Sequence, residues 1–236
     1  MDERAEAREG ESAAWWDAYF APGGGWERKG GRRQTRVYAE ALCRRVKLAQ
    51  TSFSLLDFGC ALGEALRVFH RHYPAAQLFG MDIAPAAVSR CQAERGEVAA
   101  FSVGGVEDIS AHYDVIYSSH VLEHLPGYRT AARRLLAHCD RLCVVVPFAQ
   151  LRHGRPLQPD PDGRAGDHQH TFTRDSFDFL IEEGLASRVT THLFAAPAAR
   201  VWRKAVAHAI RNALCRLVGK RPRDLQIIYD IVGHGA

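Results

Sequence analysis

Apolar and polar positions alternate along this chain in a rhythm of short buried strands and amphipathic helices. Apolar residues at helical spacing (Val37, Tyr38, Ala41, Leu42, Val46) predict a helix over 33–48. A weaker helical pattern in the first twenty residues ends in Trp15, Trp16, Tyr19 and Phe20, and Gly23-Gly24-Gly25 breaks it. The run Phe53–Phe58 stops at glycine and reads as a buried strand, followed by a helix over 63–73 that Pro74 ends. The alternation then repeats: strand 77–82, helix 85–95 opened by Pro85, strands 98–103 and 113–118, helix 129–138 and the valine-rich strand 141–147. Strand and helix alternating in this way predict an α/β fold, a largely parallel sheet with helices on both faces.

Beyond Pro147 the pattern changes. Residues 149–170 are rich in Arg, Pro, Asp, Gly and His and form a long polar loop, and long loops in compact domains are often functional. A helix over 174–183, a strand over 186–194, a helix over 198–218 and a returning strand over 225–232 follow. The 198–218 helix has an apolar stripe through Val201, Trp202, Val206 and Ile210 and a basic side with Arg200, Arg203, Lys204 and Arg211. That side reads as a solvated face, with weak contact to an anionic membrane or a phosphorylated carrier as the sharper alternative. The organisation expected is a helical lid over 1–50, then one domain over 51–236 carrying the loop 148–172 and the basic helix.

Composition adds boundaries. At 236 residues, 47% hydrophobic and 25% charged, the chain suits one well-buried domain, and its net charge of +4 is mild. Six scattered cysteines without a CxxC pair, a polar N-terminus and no apolar run long enough for a bilayer point to reduced thiols and a cytoplasmic protein.

The strongest local signal is Asp57-Phe58-Gly59-Cys60-Ala61-Leu62-Gly63-Glu64, between a strand and a helix. Glycine there permits a sharp turn and close approach of a ligand. Asp82 closes the next strand, where an acid accepts hydrogen bonds from ribose hydroxyls. A carboxylate at Glu64, on the helix start, would repel the pyrophosphate of a dinucleotide. A cationic sulfonium cofactor suits Asp57 and Glu64 better than a nicotinamide dinucleotide does.

Leu55-Leu56-Asp57-Phe58-Gly59-Cys60-Ala61-Leu62-Gly63 resembles motif I of the class I (Rossmann-like) S-adenosylmethionine-dependent methyltransferases. Tyr113-Asp114-Val115-Ile116 through Val121-Leu122-Glu123-His124 resembles the strand-four segment of their small-molecule (type 11, 12 and 23-like) branch, close to D-V-I-x-x-x-x-V-L-E-H. The resemblance runs from Leu55 to Pro147 and more weakly through His170-Thr171-Phe172-Thr173. It implies a seven-stranded Rossmann-like sheet with strand seven antiparallel, and S-adenosyl-L-methionine as cofactor. The implied cofactor residues are Asp57, Gly59, Cys60, Ala61, Gly63, Asp82, Ile83, Val106, Glu107, Ser118 and His120. Two departures stand out: Ala61 replaces the middle glycine, and Gly105 occupies a position where relatives often carry an acid.

Methyl transfer mainly requires alignment and exclusion of water, and a hydroxyl acceptor also benefits from a base. His120, His124, His168 and His170 are the candidates. His120 falls near the cofactor by resemblance, His124 anchors its loop, and His170 orders the substrate-side loop. The run Asp167-His168-Gln169-His170 offers an H-x-H spacing but no identifiable third ligand, so it assigns no metal. Trp26 and Gln34 are candidate pocket residues, whereas Trp15 and Trp16 read equally well as packing.

The expected activity is O-methylation of a small molecule such as a sugar, a lipid-linked intermediate or a secondary metabolite. Nitrogen or RNA methylation, and a non-catalytic or membrane-attached nucleoside-binding module, are the alternatives. Ser118-Ser119-His120-Val121 lacks the Asn/Asp-Pro-Pro-aromatic pattern of DNA amino-methyltransferases, so no DNA partner is expected.

Overall fold

The computed structural model describes residues 13–48, 52–152, 155–158, 166–195 and 225–234. Helical residues 13–20 (α1), α2 (Gly25–Arg28) and α3 (Gly31–Arg45) precede the sheet. Then come β1 (Ser54–Phe58), α4 (Glu64–His72), β2 (Gln77–Asp82), α5 (Pro85–Arg95), β3 (Ala100–Val103), β4 (Tyr113–Ser119), α6 (Tyr128–Ala137) and β5 (Cys139–Pro147). Two-residue strands β6 (Leu151–Arg152) and β7 (Arg155–Pro156), the short α7 (Phe179–Glu182), β8 (Ala186–Ala195) and β9 (Leu225–Gly233) complete it.

The main sheet has seven strands in the order β3-β2-β1-β4-β5-β9-β8. The first five run parallel, and β9 runs antiparallel to both neighbours, β5 and β8. This is the expected sheet, with its last strand reversed. Because successive strand residues face opposite sides, β4 and β5 feed two cores. Val115, Tyr117, Cys143 and Val145 pack with Leu42 of α3 and Leu66 and Phe69 of α4. Ile116, Leu142, Val144 and Val146 pack with Leu135 of α6, Phe177 and Tyr229 on the other face.

The observed elements depart from expectation in two places. The helix foreseen over 174–183 shrinks to α7, because Thr173–Asp178 forms turns instead. The Thr173 amide donates to Ser176 Oγ at 2.8 Å, and the Thr173 hydroxyl donates to Asp175 Oδ1. Such local side-chain bonds compete with the helix ladder. The polar loop after Pro147 contains the β6–β7 pair, which its composition did not announce. The basic helix over 198–218 lies outside the described residues. Among the described residues no helix is long and apolar enough to cross a membrane, and Cys43, Cys60, Cys91, Cys139 and Cys143 are free thiols.

Candidate functional site

Beyond the carboxyl ends of β1, β2 and β4, the place where open α/β sheets bind ligands, lies a cavity of about 1090 Å³. Its first wall is the turn after β1. Gly59 (φ +77°), Ala61 (φ +49°) and Gly63 (φ +67°) all adopt left-handed backbone. The Gly59 and Cys60 amides donate to the Met81 carbonyl at 2.8 and 3.0 Å, lashing the turn to β2. A Cβ on Gly59 would come within 2.1 Å of Val121 Cγ2. The glycine turn and the Val121–His124 segment are therefore in direct contact, and glycine is required there for space as well as for φ.

Asp82, at the end of β2, braces the same turn. Its Oδ2 accepts from the Ala61 amide at 2.7 Å and its Oδ1 from the Ala84 amide at 3.0 Å. It is buried on the cavity wall, and burial pushes its carboxyl up to about 6, against the lowering effect of those amide bonds. The Ile83 amide also bears on the carboxylate, which still keeps acceptor capacity for a ligand hydroxyl.

Gly59, Ala61, Asp82, Ile83, Val106 and His120 of the expected cofactor residues line the cavity. Asp57, Cys60, Gly63, Glu107 and Ser118 do not. Asp57 is buried behind the turn, and burial together with Asp82 pushes its carboxyl upward. The Cys60 side chain is buried, and Glu107 turns outward to Arg134 at 3.2 Å. Ser119 takes the wall position next to the buried Ser118, as the alternation of a strand demands.

Glu64 does not bear on a ligand as its position on the helix start suggested. It is buried and faces Arg95 at 2.6 Å, Arg32 at 2.9 Å and Arg36 at 3.5 Å, clamping α4 to α3 and α5. Its charge is spent on three guanidinium groups, so the contrast between pyrophosphate and sulfonium cannot rest on it.

The four histidines separate into distinct settings. His120 (φ +57°) stacks on Tyr38 with ring centroids 4.5 Å apart. Its Nδ1 lies 3.1 Å from Glu123 Oε1 and its Nε2 2.9 Å from Gln226 Oε1. His124 donates from Nδ1 to the Asp167 carbonyl at 3.1 Å and lines the cavity beside His168, ring centroids 4.8 Å apart. Burial pushes His168 down to about 4, so it is neutral at physiological pH. His170 lies off the cavity wall, its Nε2 donating to the carbonyls of Leu125 (2.8 Å) and Pro126 (3.1 Å). The H-x-H pair thus diverges, and His168 meets His124 and Glu123 instead. Burial alone would raise the fully buried Glu123 carboxyl, but His120, His124 and His168 together hold it near 2.

The N-terminal segment forms the roof. Trp15, Trp16, Tyr19, Phe20, Trp26 and Gln34 line the cavity. Trp16 meets His124 edge-on at 5.3 Å, and Trp15 packs on Gly166 of the polar loop. The roof is pinned to α5: Asp17 accepts from the Ala86 amide at 2.6 Å, and Arg90 donates to the Phe20 carbonyl and to Glu27, each at 2.7 Å. Gln226, the partner of His120, was missed in the sequence. Its place follows from pairing with Pro147 across the β5–β9 register, which no local pattern reveals.

A family model described as a methyltransferase domain matches residues 31–183, from the start of α3 through α7. A trans-aconitate 2-methyltransferase of Deinococcus radiodurans is 28% identical over 96 residues, covering 39% of this chain. The match spans only 37% of that relative's length. Two solved structures share the fold: the putative methyltransferase in a complex with the Haloferax volcanii Trm112 activator (TM-score 0.63, 16% identity, 93% of this chain and 98% of that one) and a magnesium protoporphyrin IX methyltransferase from Synechocystis with bound SAM (TM-score 0.59, 17% identity, 99% and 98%).

Proposed function

This chain belongs to the methyltransferase-domain family, and on that premise we propose that it transfers the methyl group of S-adenosylmethionine to an oxygen of a small molecule. The observation that carries the reading is one cavity lined both by the glycine turn with Asp82 and by His124 and His168. Its volume exceeds the roughly 300–1,000 Å³ of single-ligand pockets, leaving room for an acceptor beside the cofactor.

The cofactor's methionine portion follows the Gly59–Ala61 backbone, its ribose hydroxyls donate to Asp82, and its adenine lies towards Ile83 and Val106. The acceptor occupies the histidine end under the roof of Trp15 and Trp16, which acts as a lid excluding water. An acceptor oxygen lone pair attacks the methyl carbon as the carbon–sulfur bond breaks and its electron pair returns to sulfur. S-adenosylhomocysteine and the methyl ether or ester result, and a hydroxyl acceptor releases its proton. With both ring nitrogens engaged, His120 positions the wall rather than taking that proton. Hydroxyls of a sugar, lipid-linked intermediate or secondary metabolite fit the reading, and the similarity to the Deinococcus trans-aconitate 2-methyltransferase adds a carboxylate oxygen.

The test is S-adenosylhomocysteine formation across a panel of hydroxylated and carboxylated metabolites. Turnover with at least one oxygen acceptor is expected. S-adenosylmethionine binding with no turnover across the panel would instead favour a non-catalytic module, and binding of NAD(H) alone would overturn the cofactor.

A further inference from the structure

Glu123 is fully excluded from solvent, in the turn that follows β4. Its Oε1 has an ion-pair contact with His120 Nδ1 at 3.1 Å, but neither oxygen has a hydrogen-bond partner of good geometry among the described residues. A buried carboxylate oxygen left unanswered is costly, and nature resolves it with a paired charge or a metal. Two imidazoles stand beside it. His124 spends its Nδ1 proton on the Asp167 carbonyl and His168 its own on Gln150 Oε1. A carbonyl only accepts, so each ring carries its proton on Nδ1 and keeps a lone pair on Nε2. Outer hydrogen bonds of this kind orient and polarise histidines that bind metals. The ligating atoms of Glu123, His124 and His168 lie within 4.8 Å of one another.

We infer that Glu123, His124 and His168 bind a divalent transition metal on the wall of the acceptor end of the cavity. Two imidazoles and one carboxylate on one side of a site suit zinc, manganese, iron or cobalt; calcium and magnesium prefer oxygen ligands throughout. Bonds of about 2.0–2.2 Å place ligand atoms roughly 3–3.6 Å apart, so the cluster must contract by about an ångström. On metal binding, His168, which sits on the cavity-lining segment Gly166–His168, would make that movement. His124 and His168 face the cavity, so the open metal positions face it too. The metal's role there rests on the proposed methyl transfer. It holds the acceptor oxygen, whose proton passes to solvent on coordination, and keeps its own oxidation state while the oxygen pair attacks the methyl carbon.

The test uses the full chain dialysed against chelator, titrated with Co²⁺ by calorimetry and by its visible absorption, with S-adenosylmethionine titrated in parallel. One equivalent of Co²⁺ with the bands of imidazole coordination is expected. His168→Ala and Glu123→Gln should each weaken it more than about 100-fold, and Gln150→Ala about 10–100-fold. If Glu123→Gln fails to fold, the His168 and Gln150 variants, both on the cavity wall, carry the test. No stoichiometric Co²⁺ in the wild type, or equal affinity in His168→Ala, overturns the metal site. S-adenosylmethionine binding in those same samples then leaves the methyl-transfer reading standing, whereas its loss in the wild type would count against that reading alone.

Discussion

At the scale of single residues, Gly59 and Asp82 carry the site. Gly59 combines a left-handed backbone with contact on Val121. Gly59→Ala is expected to cost about 2–5 kcal/mol, from roughly 1–2 of left-handed strain and 1–3 of overpacking. Chemical denaturation of Gly59→Ala, Val121→Ala and the double variant checks this. The double variant should be less destabilised than the sum by more than about 1 kcal/mol, and strict additivity would contradict the contact. Asp82 makes a second prediction. Its carboxyl sits near 6, above its ordinary 3.8, so the folded chain holds a proton that the unfolded chain has lost between those values. The stability contributed by this group is therefore full below about pH 3.8 and is lost as pH rises through about 6. Ribose hydroxyls donate to the ionised form, so S-adenosylmethionine affinity should climb up to about tenfold per unit below pH 6 and then level off. Asp82→Asn should flatten that profile in calorimetric titrations; an unchanged profile would assign the proton elsewhere.

At the scale of elements, the N-terminal segment, which we propose as a lid, is pinned to α5. Arg90 ties the Phe20 carbonyl and Glu27 to that helix, and its hydrogen bond is the main reason Glu27 is held near 2. Arg90→Ala is expected to raise the KM for S-adenosylmethionine severalfold while moving Tm by no more than a few degrees, because the pair is partly exposed and lies at the surface. A Tm collapse with unchanged KM would make the segment part of the core rather than a lid. The proposed lid was only half legible in the sequence. The aromatic cluster was evident, but a Trp that packs and a Trp that lines a cavity look alike along a chain. The strands were plain wherever burial on both faces leaves an unbroken apolar run, as at Val144–Val146. The turn at Thr173–Ser176 was not, since its hydroxyl bonds depend on side-chain geometry that helical periodicity ignores. Glu64 taught the reverse lesson: its placement at a helix start was legible, but Arg32, Arg36 and Arg95 arrive from two other helices. The meeting of His124 with His168, far apart in sequence and joined by folding, was equally invisible.

For the whole molecule, the proposal is that one cavity, lined by residues of the N-terminal segment, the sheet and the loop segments 147–151 and 166–168, serves two ligands. Product binding should therefore stabilise the folded chain as a unit. S-adenosylhomocysteine at about 100 times its Kd should add about 2.7 kcal/mol in denaturant unfolding, and no shift would mean that the cavity does not take it. The parallel half of the sheet carries the residues proposed to hold the cofactor, whereas the antiparallel strand β9 brings Gln226 to brace His120. The most direct measurement of the central claim is a calorimetric titration of S-adenosylmethionine into the wild type and Asp82→Ala. One-site binding in the wild type, with affinity reduced at least about tenfold in the variant by loss of the charge-assisted ribose bonds, is the predicted result. No binding in the wild type, or equal affinity in both proteins, would contradict it.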